Sequence, residues 1–295
     1  MPNPLFEIVT TTAGAVSIRN NLVNEIMHNP VGPWVEANSL YIEQSQLAQL
    51  LKIQDQGELV LFDVGLGAAA NSLATIHCHR GLKDQSRPLN IVSFEKDLEL
   101  LQFALNNSSH FSHFRGFETA IEEILKYGAW TQGKIQWQLR QGDFLEQIEV
   151  ETTRPHVIFF DPYSPKMNQE MWSTSCFQKL HRISRPPAEG GTRLYTYSQS
   201  TRIRAALLSA GFYVGYGTGT GLKEETTVAA TNPLDLKHPL GQSWLQRFQK
   251  SHCRYPYLCN DEAQVDAQVE KAIQAQLKYV IDSEWKKKPA LPAEN

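Results

Sequence analysis

The segment Asp63-Val64-Gly65-Leu66-Gly67 sets a carboxylate two positions ahead of a Gly-x-Gly turn. Glycine at 65 and 67 lets the backbone turn sharply and approach a ligand with no Cβ in the way. The block Gly65–Ala70 also fits the dinucleotide fingerprint Gly-x-Gly-x-x-Gly/Ala, so the glycines alone do not choose a cofactor. The acids do. Asp63 suits a cationic amino-acid group better than a pyrophosphate. Glu95, followed by Lys96, ends Asn90-Ile91-Val92-Ser93-Phe94-Glu95, where a carboxylate can accept ribose hydroxyls. Asp143, in Gly142-Asp143-Phe144, can accept from an adenine amino group beside Phe144. An ammonium, a sulfonium and a nucleoside match three such carboxylates, so S-adenosyl-L-methionine is the expected cofactor, with a nicotinamide cofactor second. Each acid taken singly reads almost as well as a helix N-cap or a solvated turn.

A fourth acid opens Asp161-Pro162-Tyr163-Ser164-Pro165. Methyl transfer to nitrogen needs a neutral amine whose lone pair is aimed at the methyl carbon. Asp161 can accept an N–H, position the amine and take up its proton, and Tyr163 can stack on the acceptor or wall it off. An acid followed by proline and an aromatic resembles the Asp-Pro-Pro-Tyr loop of amino-group methyltransferases. Orientation can supply about 7–11 kcal/mol, and a positioned base adds a factor of roughly 10²–10⁴. The competing reading is a cap on the following helix. Two prolines fix this loop beyond what a cap requires.

These acids need a scaffold that brings strand ends together. Apolar runs and their spacing predict strands over 59–64, 90–95, 134–140, 156–161, 193–197, 212–216 and 226–230. Helices are predicted over 68–79, 98–106, 119–127, 170–183 and 201–210. Strands separated by helices of this length pair in parallel through right-handed crossovers. The expected class is α/β: a Rossmann-like class I S-adenosylmethionine-dependent methyltransferase with a mostly parallel central sheet and helices on both faces. Ligands then bind at the carboxyl edge. Three regions are expected. Residues 1–52 form an irregular or hairpin-bearing lead-in that contributes to the site, with a turn at Asn29–Pro33 and a helix from Ser45 to Lys52. Residues 53–235 form the core. Residues 236–295 form an extension with one clear helix on Val265, Val269, Ile273, Leu277 and Ile281, ending in Lys286–Lys288 and a frayed terminus.

Composition narrows the function classes. A net charge of −3 over 295 residues gives no global attraction for nucleic acid. Arg182, Arg185, Arg193, Arg202, Arg204 and Lys223 are read as lying near the active edge or on flanking helices, as a local phosphate-binding surface or as scattered solvated cations. Four cysteines form no CxxC pair, so neither a zinc site nor a disulfide framework is expected. His77, Cys78 and His79 are adjacent on a predicted helix and point apart, which disfavours a metal site. Trp172 and Phe177 are expected in the core. No leader pattern and no apolar run of about 18 residues is present, so a cytoplasmic, non-membrane protein is expected.

Taken in order, these motifs resemble the methyltransferase domain of the bacterial bifunctional tRNA wobble-uridine modification enzymes (MnmC) and their stand-alone, MnmD-like relatives. The resemblance spans roughly residues 24–230. It rests on Glu36–Ile42, Asp63–Asn71, Ser93–Asp97, Asp161–Trp172, Thr196–Ser198, Arg202–Arg204, Ala210–Phe212 and Gly221–Glu224. It implies methylation of the primary amine of 5-aminomethyl-2-thiouridine at the tRNA wobble position. It carries the acid role onto Asp161 and cofactor binding onto Asp63, Gly65, Gly67, Glu95 and Asp143. Glu36 is placed near the cofactor or acceptor, and Pro162, Ser164, Lys166 and Lys223 near the acceptor. Ala69 stands where the family has a further glycine, and Lys166 is displaced by one position from the family's Pro-x-Lys-Asn. The FAD-dependent half of the bifunctional enzymes is not expected after Ala230. A methyltransferase or aminopropyltransferase for another amine, and a non-catalytic binding module, are the alternatives.

Overall fold

The structure is a computed structural model that describes residues 5–26, 31–53, 57–220 and 223–287. The N-terminal strands β1 (Phe6–Thr10), β2 (Val16–Asn20) and β3 (Glu25–Ile26) form a small antiparallel sheet. A short α1 (Pro33–Glu36) runs into a π-helical segment, Ala37–Glu43, and then α2 (Leu47–Leu51). The lead-in is therefore a three-stranded sheet with helical turns. Of the expected turn at Asn29–Pro33, Asn29 and Pro30 lie outside the described residues.

The central unit begins with β4 (Leu59–Val64), α3 (Ala70–Gly81), β5 (Leu89–Glu95), α4 (Glu99–Asn106) and α5 (Glu118–Tyr127). It continues through β6 (Ala129–Gln132), β7 (Ile135–Gln141), α6 (Phe144–Val150), β8 (Val157–Phe160), α7 (Thr174–Ile183), β9 (Arg193–Thr196) and α8 (Thr201–Ser209). The strands β10 (Tyr213–Thr220) and β11 (Lys223–Ala230) close the sheet, and α9 (Gln242–Lys250) and α10 (Glu262–Lys287) follow.

The sheet order is β10-β11-β9-β8-β4-β5-β7-β6. The strands β9, β8, β4, β5 and β7 pair in parallel, while β11 runs antiparallel to both β9 and β10. Every residue of β4 and β8 is buried, as a parallel strand covered on both faces requires. Alternation splits the core in two. Leu59, Leu61, Leu89, Ile91, Val157 and Phe159 face one cluster, which includes Leu73 and Ile76 of α3. Val60, Phe62, Val92, Phe94, Ile158 and Phe160 face the other, which includes Phe177 and Leu180 of α7. Helices thus cover both faces.

Several elements go beyond the sequence reading. The strand β6 has only Trp130 buried and no clear period; it exists as the first arm of a hairpin with β7, closed at Gly133-Lys134 with Gly133 at φ 59°. Seven residues after Asp143 form α6, and the predicted helix over 170–183 opens as a 3₁₀ turn, Glu170–Trp172, before Ser173 caps α7. The extension holds α9 besides α10, its apolar side being Trp244, Leu245 and Phe248. In α10, Val265, Val269 and Ile273 are buried as their spacing predicts, while the side chain of Ile281 and residue Lys288 lie outside what is described.

Candidate active site

The parallel strands bring Asp63, Glu95 and Asp161 to neighbouring strand tips, with Asp143 just past β7. Asp63 pairs in register with Ser93 of β5 and Phe159 of β8, so it sits one residue below the glycine turn in the middle of the sheet. It is fully buried. Its Oδ2 accepts from the hydroxyls of Ser72 (2.5 Å) and Ser93 (3.2 Å), and its Oδ1 finds no hydrogen-bond partner. Burial raises its pKa to about 7 against the lowering effect of the two serines. Asp63 thus lies beneath the loop, with one unsatisfied oxygen that a cationic ligand group would satisfy.

Above it, Gly65 holds φ 90°, and a Cβ there would lie 2.5 Å from the carbonyl oxygen of Asp161. The turn and the β8 loop therefore touch backbone to backbone, which only glycine allows. The amide of Gly67 donates to Glu95 Oε2 at 2.9 Å, while Lys96 and Asp97 amides donate to Oε1 at 2.8 and 3.2 Å. A carboxylate has about four acceptor positions, so three amides leave room for about one ligand hydroxyl rather than two. Ala69, where a glycine was expected from the resemblance, is buried with φ 61°, a left-handed position that disfavours a Cβ.

Asp143 Oδ1 caps α6 by accepting from the Leu145 amide at 2.9 Å, and its Oδ2 accepts from Lys96 Nζ at 3.2 Å. The capping reading and the ligand reading share this residue, since it remains half-buried just past β7. Lys96 is exposed and held to Asp143. Phe144 is a core residue, packed edge-on against Phe94 at 5.1 Å and Phe160 at 6.5 Å, so its ring supports the strand tips from inside.

Asp161 lies immediately beyond β8. Asn71, in the first turn of α3, donates to its Oδ2 at 2.9 Å. Burial, followed by the negative charge of Glu36, pushes the Asp161 pKa up to about 8, against the lowering effects of Asn71 and Tyr41. Glu36, at the end of α1, is buried. Tyr41, in the π-helical segment, is fully buried beside Asp161 and Glu36, which with burial hold its phenol well above the usual range. Tyr197, past β9, donates to the Pro162 carbonyl at 3.1 Å.

The loop after Asp161 is tied to the N-terminal sheet. Asn20 of β2 donates to the Tyr163 hydroxyl at 3.3 Å, and Ser164 donates to Glu25 of β3 at 2.9 Å. Trp172, fully buried against Phe160, donates from its indole to the Tyr163 carbonyl at 2.9 Å. Phe177 also packs on Phe160, so both rings are core, as expected. Lys166 is exposed on the loop, and the side chain of Lys223 lies outside the described residues.

Sequence reasoning placed Asp161, Glu36 and the glycine turn together, and the structure does so too. It missed Asn71, Tyr41 and Tyr197 as site residues, although all three lie inside the motifs quoted for the resemblance. A neutral amide or phenol inside a motif carries no charge pattern, and only the fold shows that it comes close to Asp161. Asn20 and Glu25 had no such signal.

Of the two readings of the cations, the structure favours the scattered one. Arg193 begins β9 and bonds Asp235 at 2.7 Å, at the strand edge opposite the acids. Arg182 pairs with Glu149 at the C-terminal end of α7, and Arg185 donates to the Arg154 carbonyl. Arg204 is 2% exposed and bonds Glu225, Thr227 and the Thr226 carbonyl, so it is a buried structural cation. Arg202, at the start of α8, lies over the Tyr257 ring. Among the described residues no cluster of three His, Cys, Asp or Glu could hold a metal ion, and no helix is long and apolar enough to cross a membrane. His77 and His79 diverge: one meets Trp34, the other the Arg87 carbonyl.

Residues 117–232 match the family model described as S-adenosyl-L-methionine-dependent methyltransferase. The chain is 26% identical over 235 residues to the tRNA 5-methylaminomethyl-2-thiouridine biosynthesis bifunctional protein MnmC of Cupriavidus necator, covering 76% of this chain and 35% of that protein. It is 28% identical over 198 residues to the protein of that name from Pseudomonas entomophila, covering 64% and 30%. The chain thus spans about a third of the length of these relatives. Among solved structures it superposes on MNMC2 from Aquifex aeolicus with a TM-score of 0.69 at 20% identity, covering 94% of this chain and 87% of that one. The glycine turn, which a Cβ would close, and the unsatisfied Asp63 oxygen fit a bulky cationic nucleoside. Sequence and fold agree on the Rossmann-like class I fold, and the chain is similar over residues 117–232 to the S-adenosyl-L-methionine-dependent methyltransferases and over 235 residues to an MnmC protein.

Proposed function

We propose that the chain methylates the primary amine of 5-aminomethyl-2-thiouridine at the wobble position of tRNA. The reading draws on the MnmC relatives, whose name states biosynthesis of the methylaminomethyl product. The observation that carries it is Asp161. Its carboxylate stands at the central strand tip, is held by Asn71, and has a pKa near 8 that matches proton uptake from an alkylammonium.

S-adenosyl-L-methionine, when bound, supplies a methyl carbon made electrophilic by its sulfonium. Asp63 would hold the cationic end, Glu95 would accept a ribose hydroxyl, and Asp143, with Lys96 beside it, would take the adenine amino group. Gly65 and Gly67 keep the turn low enough for this. Asp161 takes the proton from the acceptor nitrogen, whose lone pair forms the new N–C bond as the S–C bond breaks. Pro162 and Tyr163 wall the acceptor, with Ser164, Lys166 and Lys223 flanking it, and Glu36 holds the negative field around Asp161. Residues 53–235 are read as the methyl-transfer unit, with the described parts of 1–52 on its acceptor side and those of 236–295 as a supporting extension. Such work belongs in the cytoplasm.

The test is methylation of total tRNA from cells lacking this gene, with nucleoside mass spectrometry. A gain of 14 mass units at 5-aminomethyl-2-thiouridine (the mass of CH₂) is the expected result. Methylation of another nucleoside, or of none, overturns the substrate assignment.

A further inference from the structure

We propose that Asn71 is the positioning residue for Asp161: its amide fixes one carboxylate oxygen so that the other is presented to the acceptor amine. This rests on the reading of Asp161 as the base. The 2.9 Å bond joins two elements far apart in sequence, since Asn71 is on α3 and Asp161 follows β8. Asn71 is buried, 5% exposed, in the first turn after the glycine loop. Within the same helix, the Thr75 hydroxyl donates to the Asn71 carbonyl at 2.8 Å.

The groups facing Asp161 explain why such a donor is needed. Glu36 on α1 and Asp63 at the end of β4 oppose its ionisation, and burial opposes it most. Tyr41 from the π-helical segment favours the carboxylate alongside Asn71, and Tyr197 past β9 is the other neighbouring phenol. Asn71 donates an N–H to the charged form without adding a charge of its own, so it favours the carboxylate while leaving the acid field intact. A lysine there would neutralise the base as well as orient it. An aspartate would add a third repelling charge.

The consequence is a shift that a purely structural asparagine would not cause. Removing a hydrogen bond to the ionised form raises the Asp161 pKa, so Asn71→Ala moves the acid limb of the rate profile upward by about one pH unit. It lowers kcat by roughly 10–100-fold through lost orientation, with KM for the methyl donor within about twofold. Asn71→Ser, a smaller polar residue, guards against misfolding by alanine, and thermal melting checks both.

The experiment titrates the Asp161 carboxyl by NMR in unliganded wild-type and Asn71→Ala protein labelled at aspartate, alongside pH–rate profiles on tRNA bearing 5-aminomethyl-2-thiouridine. A parallel upward shift of the NMR pKa and the rate limb supports the inference. An unmoved Asp161 titration in folded Asn71→Ala and Asn71→Ser overturns it, as does a loss confined to donor KM. Full activity of Asp161→Asn would instead overturn the base reading, and the inference with it.

Discussion

A Cβ on Gly65 would lie 2.5 Å from the carbonyl oxygen of Asp161, so the cofactor turn and the acceptor loop form one rigid junction. The Gly65→Ala variant meets this backbone oxygen and a φ of 90° together. It is expected to cost about 1–3 kcal/mol of stability and to impair donor binding and methyl transfer at once. Thermal melting and donor calorimetry check it; normal values for both would show the junction to be loose.

The pH dependence follows from Asp161. With its pKa near 8, the rate falls as pH drops below about 8, because the protonated acid cannot take the amine's proton. Stability runs the other way. The folded chain binds this proton more tightly than the unfolded chain, so the contribution is full below about pH 4 and is lost as pH rises through about 8. Asp161→Asn should therefore raise the melting temperature, by at least ~2 °C at pH 9 and by less at pH 5. Melting curves at both values check the sign.

Glu95 gathers three backbone amides and is proposed to accept a ribose hydroxyl as well. Glu95→Ala is expected to weaken S-adenosyl-L-methionine binding by about tenfold or more, equivalent to one charged hydrogen bond. Calorimetry showing unchanged affinity would refute the ribose assignment.

The N-terminal sheet touches the acceptor loop rather than the cofactor turn. Tyr163→Phe removes the Asn20 bond and keeps the ring. Acceptor KM should rise about two- to fivefold while donor affinity stays level. Steady-state kinetics with each substrate varied would expose the opposite pattern.

Arg204→Met separates a structural arginine from an RNA-binding one. Loss of its bonds to Glu225, Thr227 and Thr226 should cost about 2–4 kcal/mol. The folded fraction should still bind tRNA normally in filter assays, whereas selective loss of tRNA binding would restore the basic-surface reading.

The core strands were legible because β4, β5 and β8 are mostly apolar runs with an acid at or beside the tip, a pattern that burial on both faces imposes. β6 and α6 were not, because four and seven residues carry too little periodicity. The site was legible where charge marks it, at Asp161, Glu95 and Asp63. It was silent where neutral groups do the holding. Asn71 and Tyr41 reach Asp161 only because α3 and the π-helical turn fold onto the β8 tip, and Phe144 reads as a stacking ring until its neighbours Phe94 and Phe160 are seen. The arginines stayed ambiguous because sequence shows a cation but not its partner.

The most direct measurement pairs donor titration with single-turnover methyl transfer to tRNA bearing 5-aminomethyl-2-thiouridine, for wild-type and Asp161→Asn protein. Asp161→Asn should bind S-adenosyl-L-methionine as the wild type does and lose roughly 10²–10⁴ in rate. Undiminished transfer by Asp161→Asn, or a wild-type protein that takes up a nicotinamide dinucleotide and ignores the methyl donor, would contradict the account.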